Sequence, residues 1–394
     1  MILFYVQHLL GSGHVQRIVR IASALAARGE SVAMITGGIP VAGLKTDGIE
    51  VIQLEPIRSA ALNFSHLVDS HGCAVDASIF KRRATVLDTT LKRLRPDVVV
   101  IETFPFGRRA FRSEIGSFLN TAKSFSPAPM IVSSVRDILQ RRVDKREAET
   151  VDWLQRHFNA VMVHGDPRVI RLEDSFARAA EVIEALKDNL VYTGYISAPT
   201  FMRNTARRDE TPREIIVTAG GGAAGLKLYQ TALAVAMNHP IDHHWRFLVG
   251  GGVGEDDFRS LQRGAGKQIF VERNRNDFLE LISASRLVIC QAGYNTVTDL
   301  LVSGARALTI PFEGSGETEQ RMRAERFVKL GYLHMLSEDR LSIDSLGDAV
   351  TKLTSCSVTI AEASHIDYPA IDLNGVTQSA DWLSRCIWRI KQSR

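Results

Sequence analysis

The sequence is poor in cysteine, and its few cysteines suggest neither a metal site nor a disulfide framework. No two of them have the C-x-x-C spacing of zinc sites, and no cluster of histidines accompanies them. We therefore expect free thiols in a reducing compartment, the cytoplasm. The 394 residues include four cysteines, namely Cys73, Cys290, Cys356 and Cys386.

Long apolar runs are also missing. No run approaches the roughly 20 residues that a membrane-spanning helix needs. The first eight residues lack the basic region and the longer apolar region of a secretory signal peptide, so we expect a first strand there. The hydrophobic share of 45% and the charged share of 23% are those of an ordinary globular protein.

The excess of positive charge is small. The net charge is +4, and the isoelectric point is about 8.9. This balance suits an anionic substrate, or peripheral contact with the inner face of an anionic cell membrane. It gives no reason to expect a nucleic acid as partner.

Short apolar segments alternate with segments of helical periodicity along the whole chain. This alternation is typical of βαβ units with parallel sheets. The clearest strand-like runs are residues 2–6, 31–35, 97–101, 130–134, 215–218, 245–249 and 287–289.

The alternation is interrupted once, between residues 197 and 214. This stretch contains Pro199, Pro212 and a charged cluster at 207–210, which indicates a linker. We predict an α/β protein of two Rossmann-like, doubly wound domains that face a central cleft, with ligands beyond the carboxyl ends of the strands. The predicted parts are a first domain over 1–196, the linker, a second domain over 215–376 and a helix over 377–394 that packs back on the first domain.

A glycine loop follows the first predicted strand and opens the first predicted helix. It reads Gly11-Ser-Gly13-His14-Val-Gln-Arg17. A neutral imidazole at this place can take a proton from an attacking hydroxyl, since its ordinary pKa lies near working pH. Arg17 lies on the same helix face and could pair with a phosphate or a carboxylate. The alternative is that His14 merely caps the first turn.

The second half has a glycine turn in the equivalent place. Gly220, Gly221 and Gly222 follow a strand and match G-x-G-x-x-G together with Gly225, a weak signal shared by many phosphate sites. A dinucleotide site would place an acid at the end of the next strand, which instead ends in three glycines. We therefore expect these glycines to bind a nucleotide other than a nicotinamide cofactor.

A third such turn reads Gly293-Tyr294-Asn295-Thr296. Its backbone N–H groups and the Thr296 hydroxyl are placed to meet a diphosphate at a helix N-terminus. Asp299 can accept from ribose hydroxyls, or it can simply complement the helix dipole.

Two further polar segments follow strands. Glu319 and Gln320 open a helix, where a carboxylate beside an amide suits sugar hydroxyls, although a capping box would look the same. The segment from Glu102 to Arg108, Glu-Thr-Phe-Pro-Phe-Gly-Arg, could line the acceptor side of the cleft. Alternatively it is a packed aromatic turn.

In these features the chain resembles the GT-B glycosyltransferases of family 28, most strongly over residues 215–336. Its first loop, G-x-G-H-x-x-R, is also similar to that of a family of UDP-sugar hydrolases in pseudaminic acid synthesis. The family resemblance implies a UDP-sugar contacted by Gly293, Tyr294, Asn295 and Thr296 at the diphosphate, Asp299 at the ribose, Glu319 and Gln320 at the sugar, and Arg273 and Asn274 at the base. We count Gly13, Arg17 and Gly220–Gly222 with these donor-binding residues.

The sequence therefore predicts an inverting glycosyltransferase. It would move a sugar, an N-acetylhexosamine, from a UDP-sugar to a saccharide or lipid-linked hydroxyl in bacterial surface polysaccharide or glycolipid synthesis, with His14 as the base. No Asp-x-Asp metal clamp stands out, so we expect no metal and no cofactor, and glycine turns with helix N-termini would stabilise the leaving diphosphate.

Two alternatives stay open. His14 could activate water in a UDP-sugar hydrolase, or the chain could be a non-catalytic subunit that binds a nucleotide sugar. The long segments 63–83 and 135–156, the second rich in arginine and lysine, favour transfer because a hydrolase needs no acceptor surface.

Overall fold

A computed structural model of the chain describes residues 1–41, 43–60, 66–198, 214–222, 224–238, 243–355 and 370–392. Most of the predicted linker, 199–213, lies outside the described residues, as does Cys356. The chain forms two units, Met1–Ile196 with Ile371–Arg394, and Ser197–Ala370.

The first unit is built on a seven-stranded parallel sheet with the order β3-β2-β1-β6-β7-β8-β9. Its central strands are mostly apolar and buried, as parallel strands covered on both faces require, whereas the edge strand β3 is largely exposed. β4 and β5 form a small antiparallel pair. The strands are β1 (Ile2–Val6), β2 (Val32–Thr36), β3 (Ile49–Gln53), β4 (Arg58–Ser59), β5 (Leu67–Val68), β6 (Val98–Glu102), β7 (Met130–Arg136), β8 (Ala160–His164) and β9 (Leu190–Tyr192).

Helices of this unit have one apolar stripe that packs on the sheet. In α1 the buried residues include Val15, Ile18, Ala22 and Leu25, which recur at helical intervals. The helices are α1 (Gly13–Ala26), α2 (Ala77–Leu94), α3 (Arg112–Lys123), α4 (Asp144–His157) and α5 (Ala179–Leu186).

The second unit has a six-stranded parallel sheet with the order β12-β11-β10-β13-β14-β15. Its strands are β10 (Glu214–Thr218), β11 (His244–Val249), β12 (Ile269–Arg273), β13 (Leu287–Cys290), β14 (Ala307–Thr309) and β15 (His334–Met335). Its helices are α6 (Leu226–Asn238), α7 (Glu255–Gln262), α8 (Phe278–Ser283), α9 (Tyr294–Ser303), α10 (Glu319–Lys329) and α11 (Ile343–Ser355). Each unit has its own buried apolar core.

Both sheets have the strand order 3-2-1-4-5-6 of doubly wound folds, with a seventh strand added to the first. The direction of chain progression therefore reverses between β1 and β6 in the first unit and between β10 and β13 in the second. Ligands of doubly wound sheets bind at this reversal, beyond the carboxyl ends of the two strands.

The C-terminal segment belongs to the first unit from residue 371 onward, so the second unit ends earlier than the boundary at 376 that we predicted from the sequence. The helix α12 (Gly375–Gln392) likewise begins two residues before the predicted start and packs on α1. Backbone hydrogen bonds between Tyr195 and both Asp372 and Gly375 hold the C-terminal segment against the first unit. A Cβ at Gly375 would lie 2.5 Å from the Gly194 carbonyl oxygen. A side chain at 375 would therefore break the junction.

Among the described residues, no helix has the length and the apolar content to cross a membrane. The three described cysteines, Cys73, Cys290 and Cys386, are free thiols. Cys290 ends β13 inside the core, and burial raises the pKa of its thiol to about 12.

Candidate active site

The reversal in the first unit brings together two polar side chains that the sequence keeps far apart. His14 is the second residue of α1, directly after the loop that follows β1, and Glu102 is the last residue of β6. β1 and β6 are neighbours in the sheet. Nδ1 of His14 lies 2.9 Å from Oε1 of Glu102.

Glu102 is a buried carboxylate with several donors. Its side chain is 0% exposed, and it pairs with the guanidinium of Arg17, which is itself 2% exposed. Oε2 accepts a hydrogen bond of 2.7 Å from the Ser134 hydroxyl. Burial acts to raise the pKa of Glu102, but Arg17 and the hydrogen bonds from His14 and Ser134 outweigh it and hold that pKa well below its usual range. Glu102 is therefore ionised at neutral pH.

His14 is neutral at neutral pH, and the charge of Glu102 fixes its tautomer. Burial lowers the pKa of His14 to about 3, with Arg108 and Arg17 acting in the same direction and Glu102 opposing them. An ionised carboxylate can only accept, so the ring proton lies on Nδ1 and Nε2 carries a lone pair. Nε2 makes no hydrogen bond with any residue in the described ranges, and the side chain is 18% exposed.

The structure gives Glu102 and Arg17 places that differ from those we predicted. Glu102 lies behind His14 instead of lining an acceptor surface. Arg17 meets a carboxylate, the second of its two predicted partners, instead of a donor phosphate. Gly13 is the first residue of α1 and is half-buried next to His14.

The segment between Glu102 and Arg108 contains both a packed turn and an unusual backbone. Phe104 is buried against Trp153, with ring centroids 5.1 Å apart, as the alternative of an aromatic turn implies. Thr103 and Arg108 have φ values of 69° and 62°, a left-handed conformation that is rare for non-glycine residues, most of all β-branched ones. Such backbone is concentrated at functional sites.

Arg108 lies close enough to influence His14, although its side chain is directed to the backbone. Its Nε donates to the carbonyl oxygen of Gln7, in the loop that follows β1. Burial lowers the pKa of Arg108 to about 10, so it stays cationic at neutral pH. Arg108 therefore adds a positive charge to the site and anchors the loop before His14.

The two long segments that we predicted to form an acceptor surface, 63–83 and 135–156, contain helices and strands in their described parts. Residues 135–156 supply the end of β7 and most of α4, and residues 66–83 contain β5 and the start of α2. Arg141 donates to the Asp174 carbonyl oxygen at 3.2 Å, while Val143 in the same segment is 67% exposed.

The reversal in the second unit brings the two predicted glycine turns together. A Cβ built on Gly220 would lie 3.7 Å from Oγ1 of Thr296, and one built on Gly293 would lie 3.9 Å from it. Within the described residues, the Thr296 hydroxyl makes no hydrogen bond. It therefore stands between the two turns as a donor and acceptor that is available to a ligand.

The turn after β10 is open on one side and closely packed on the other. A Cβ on Gly221 or on Gly222 would meet nothing within 4 Å, whereas one on Gly250 would lie 2.1 Å from the Gly220 carbonyl oxygen. Gly252 N–H donates to Gly221 at 3.2 Å. The loop after β11 thus supports the turn from behind, and Gly220 itself has a φ of 70°.

The N-terminus of α9 completes this edge of the sheet. Gly293 precedes the helix and Tyr294 is its first residue. Helix N-termini favour anions because their backbone N–H groups and the helix dipole both present positive charge. Tyr294 is buried, and Asn295 and Asp299 are half-buried in the first two turns.

Arg273 and Asn274 have structural partners within the second unit. Arg273 donates to the carbonyl oxygens of Gly250 at 3.1 Å and Val253 at 3.0 Å, and its guanidinium lies 3.9 Å from the centroid of the Phe258 ring. It therefore holds the loop after β11, a different task from the base contact predicted for it. Asn274 is exposed, and its amide lies 3.5 Å from the Gly220 carbonyl oxygen.

Glu319 and Gln320, which we predicted to contact the donor sugar, have partners within the second unit. Glu319 is 2% exposed and forms an ion pair of 3.0 Å with the fully buried Arg323, whose other nitrogen donates to Ala292 at 2.9 Å. Gln320 accepts from the backbone N–H of Phe312 at 3.2 Å. Both residues thus join the start of α10 to neighbouring loops, including the one before α9.

Sequence reasoning did not single out Ser134, His164 or Thr193. All three are buried and linked to Glu102 by hydrogen bonds. The available signal was that polar residues occur near or just beyond the carboxyl ends of three consecutive apolar strands, β7, β8 and β9.

Comparison with known proteins agrees with this architecture. Residues 215–373, about two-fifths of the chain, match the model of the glycosyltransferase family 28 C-terminal domain. Two curated relatives carry the name UDP-N-acetylglucosamine–N-acetylmuramyl-(pentapeptide) pyrophosphoryl-undecaprenol N-acetylglucosamine transferase. The one from Geotalea daltonii is 26% identical over 136 residues, which are 34% of this chain and 37% of the relative. The one from Paramagnetospirillum magneticum is 25% identical over 197 residues, 47% of this chain and 52% of the relative.

The chain thus spans about a third to a half of the length of the curated relatives it matches. Solved structures match over almost the whole chain at low identity. The calicheamicin glycosyltransferase CalG4 aligns with a TM-score of 0.62 and 17% identity, covering 98% of each chain. MurG from Acinetobacter baumannii aligns with a TM-score of 0.60 and 16% identity, covering 98% of this chain and 99% of that one. The chain therefore has the GT-B fold, and its residues 215–373 match the C-terminal domain of glycosyltransferase family 28.

Proposed function

We propose that this chain is an inverting glycosyltransferase in which His14 is the general base. The observation that carries the proposal is the His14–Glu102 pair, because it leaves Nε2 of a neutral imidazole unprotonated at the ligand-binding edge of a doubly wound sheet. The family 28 domain on the same chain supports a nucleotide-sugar donor.

In the proposed reaction, the acceptor hydroxyl attacks the anomeric carbon of the donor sugar. The O–H proton passes to Nε2 of His14, a C–O bond forms at the anomeric carbon, and the bond to the nucleoside diphosphate breaks with inversion. The imidazolium that results is stabilised by the ionised Glu102, which already accepts the Nδ1–H bond.

The donor is proposed to be a UDP-N-acetylhexosamine and the acceptor a lipid-linked saccharide. The names of the curated relatives support this choice of donor and acceptor class. The leaving diphosphate would be held by the turn at Gly221 and Gly222, the Thr296 hydroxyl and the N-terminus of α9, without a metal ion. The net charge of +4 suits such an anionic donor and a phosphate-bearing acceptor.

The test is a matched pair of incubations of the full chain with UDP-N-acetylglucosamine. One contains an undecaprenyl-diphosphate-linked saccharide and the other contains no acceptor. If the chain is a glycosyltransferase, UDP is released only when the acceptor is present, and the glycosylated product has the inverted anomeric configuration. Release of free sugar at the same rate without acceptor would instead show a hydrolase, and UDP binding without any turnover would show a binding subunit.

A further inference from the structure

A chain of buried hydrogen bonds extends from Glu102 across the carboxyl ends of four neighbouring strands. Ser134 in β7 is the register partner of Glu102 in β6. His164 ends β8, and Thr193 follows β9. The Ser134 hydroxyl lies 2.7 Å from Oε2 of Glu102 and 2.8 Å from Nε2 of His164, and Nδ1 of His164 lies 2.8 Å from Oγ1 of Thr193.

The charge on Glu102 determines the direction of every bond in this chain. An ionised carboxylate only accepts, so the single hydroxyl proton of Ser134 points to Glu102. Ser134 must then accept from His164, which places the proton of His164 on Nε2. Nδ1 of His164 is left with a lone pair and accepts from the Thr193 hydroxyl. Two histidines thus hold opposite tautomers, Nδ1–H on His14 and Nε2–H on His164.

The three polar side chains of this hydrogen-bonded chain are buried in a sheet that is otherwise mostly apolar. Ser134 and His164 are 0% exposed and Thr193 is 1% exposed, in a sheet whose strands are otherwise mostly valine, isoleucine and methionine. Polar groups at such depth are unfavourable unless hydrogen-bonded, and apolar side chains would fill the same space without that requirement. Burial lowers the pKa of His164 to about 3, so it acts as a neutral donor and not as a proton carrier.

We propose that Ser134 and His164 are positioning residues that fix the ionised carboxylate of Glu102, so that His14 keeps its proton on Nδ1 and presents Nε2 to the acceptor hydroxyl. The inference rests on the proposed role of His14 as base. Arg17 anchors one oxygen of Glu102, and the Ser134–His164 pair anchors the other. Together they stop the carboxylate from rotating away from His14.

The first test reads the tautomers directly and needs no activity. Long-range proton–nitrogen NMR spectra of the full chain with ¹⁵N-labelled histidine, recorded at pH 7, identify the protonated nitrogen of each ring. The variants His14→Gln and His164→Gln assign the two signals. We expect Nδ1–H on His14 and Nε2–H on His164, and Ser134→Ala should add a population of His14 protonated on Nε2. The opposite tautomer on either ring of the unsubstituted protein would overturn the inference.

The second test compares two substitutions at one position. The amide nitrogen of His164→Gln reaches the place of Nε2 and can still donate to Ser134, whereas the shorter side chain of His164→Asn cannot. With UDP-N-acetylglucosamine as donor, His164→Asn and Ser134→Ala should lower kcat by about 10- to 100-fold with little change in KM, since a hydrogen bond to a charged group is at stake. His164→Gln should recover at least about fivefold over His164→Asn.

A merely structural role predicts a different pattern. In that case the Gln and Asn variants would lose thermal stability and kcat in parallel, and the His14 tautomer would not change. Ser134→Ala removes only one oxygen atom. If neither His164 variant folds, the kcat and the His14 tautomer of Ser134→Ala still test the positioning role. If the unsubstituted protein shows no transfer, the proposed function fails, and the NMR tautomers still decide the positioning role.

Discussion

Nδ1 of His14 lies 2.9 Å from Oε1 of Glu102, although 88 residues of sequence separate the two side chains. The contact forms because His14 follows β1, Glu102 ends β6, and these strands are neighbours at the reversal of the sheet. A buried carboxylate that accepts from one nitrogen of an imidazole leaves the other nitrogen as a base. This is the logic of an oriented general base, reached here on a GT-B fold.

Replacement of His14 by alanine should remove the base without removing the donor site. We expect His14→Ala to lower kcat by about 10²- to 10⁴-fold, the usual contribution of a general base, while the Kd for UDP changes little. Steady-state kinetics and isothermal titration calorimetry measure the two quantities. His71→Ala is the matched control, since His71 is exposed in the same unit. Near-normal turnover of His14→Ala would exclude the catalytic role.

Glu102→Gln should reverse the tautomer of His14. The new amide can donate to Nδ1, which would move the ring proton to Nε2 and lower kcat by about 10²- to 10⁴-fold. The variant also leaves the buried Arg17 without its counter-charge, so the free energy of unfolding should fall by about 3–5 kcal/mol. Kinetics at a temperature where circular dichroism shows the fold intact separates the two effects. Full activity in Glu102→Gln would contradict the proposed pair.

The first unit should lose stability on acidification below about pH 6.5. His14 and His164 have pKa values of about 3 in the folded chain against an ordinary value of 6.5. Between these values the unfolded chain binds protons that the folded chain does not, so the free energy of unfolding decreases as the pH falls. Glu102, whose pKa is lowered by folding, adds to the loss below about pH 4.5.

Urea unfolding at pH 7, 6 and 5 checks this dependence. A Trp245→Phe background confines tryptophan fluorescence to the first unit, because the other three tryptophans, Trp153, Trp382 and Trp388, all lie there. In that background His164→Gln should show a shallower pH dependence, since one of the two buried imidazoles is gone. An unchanged slope would mean that His164 takes up protons in the folded chain as readily as in the unfolded chain.

Thr296→Val should weaken binding of UDP. The substitution keeps the shape of the side chain but removes the hydroxyl between the two glycine turns. We therefore expect the Kd to rise by about 10- to 100-fold, the value of one hydrogen bond to a charged group. Thr351→Val, at an exposed position of α11, is the matched control. Calorimetry with UDP gives the result, and equal affinity in both variants would place the diphosphate elsewhere.

Gly250→Ala should disturb the second unit where Gly251→Ala does not. A Cβ at 250 would lie 2.1 Å from the Gly220 carbonyl oxygen, whereas a Cβ at 251 would meet nothing within 4 Å. We expect Gly250→Ala to cost about 1–3 kcal/mol and to weaken UDP binding by displacing the turn at 220–222. Thermal unfolding and calorimetry of both variants measure this. Equal behaviour of the two would show that the turn can move without loss.

The sequence by itself determined the alternation of strands and helices and the glycine turns after β1, β10 and β13. These features are local. Apolar runs of strand length, apolar residues at helical intervals and glycines at strand ends are each set by residues a few positions apart. The local signal is weaker for β12 and α7, because their residues are mixed in polarity and only partly buried.

Only the tertiary structure decided which polar side chains meet. The order of strands in the sheet brings Glu102 to His14 and Arg17, and the register of β6 with β7 brings Ser134 to Glu102. Neither order nor register can be deduced from the local pattern, so Glu102 was predicted to face an acceptor. Burial likewise decided that Glu319 pairs with Arg323, since a carboxylate withdrawn from water needs a cation that the sequence does not identify.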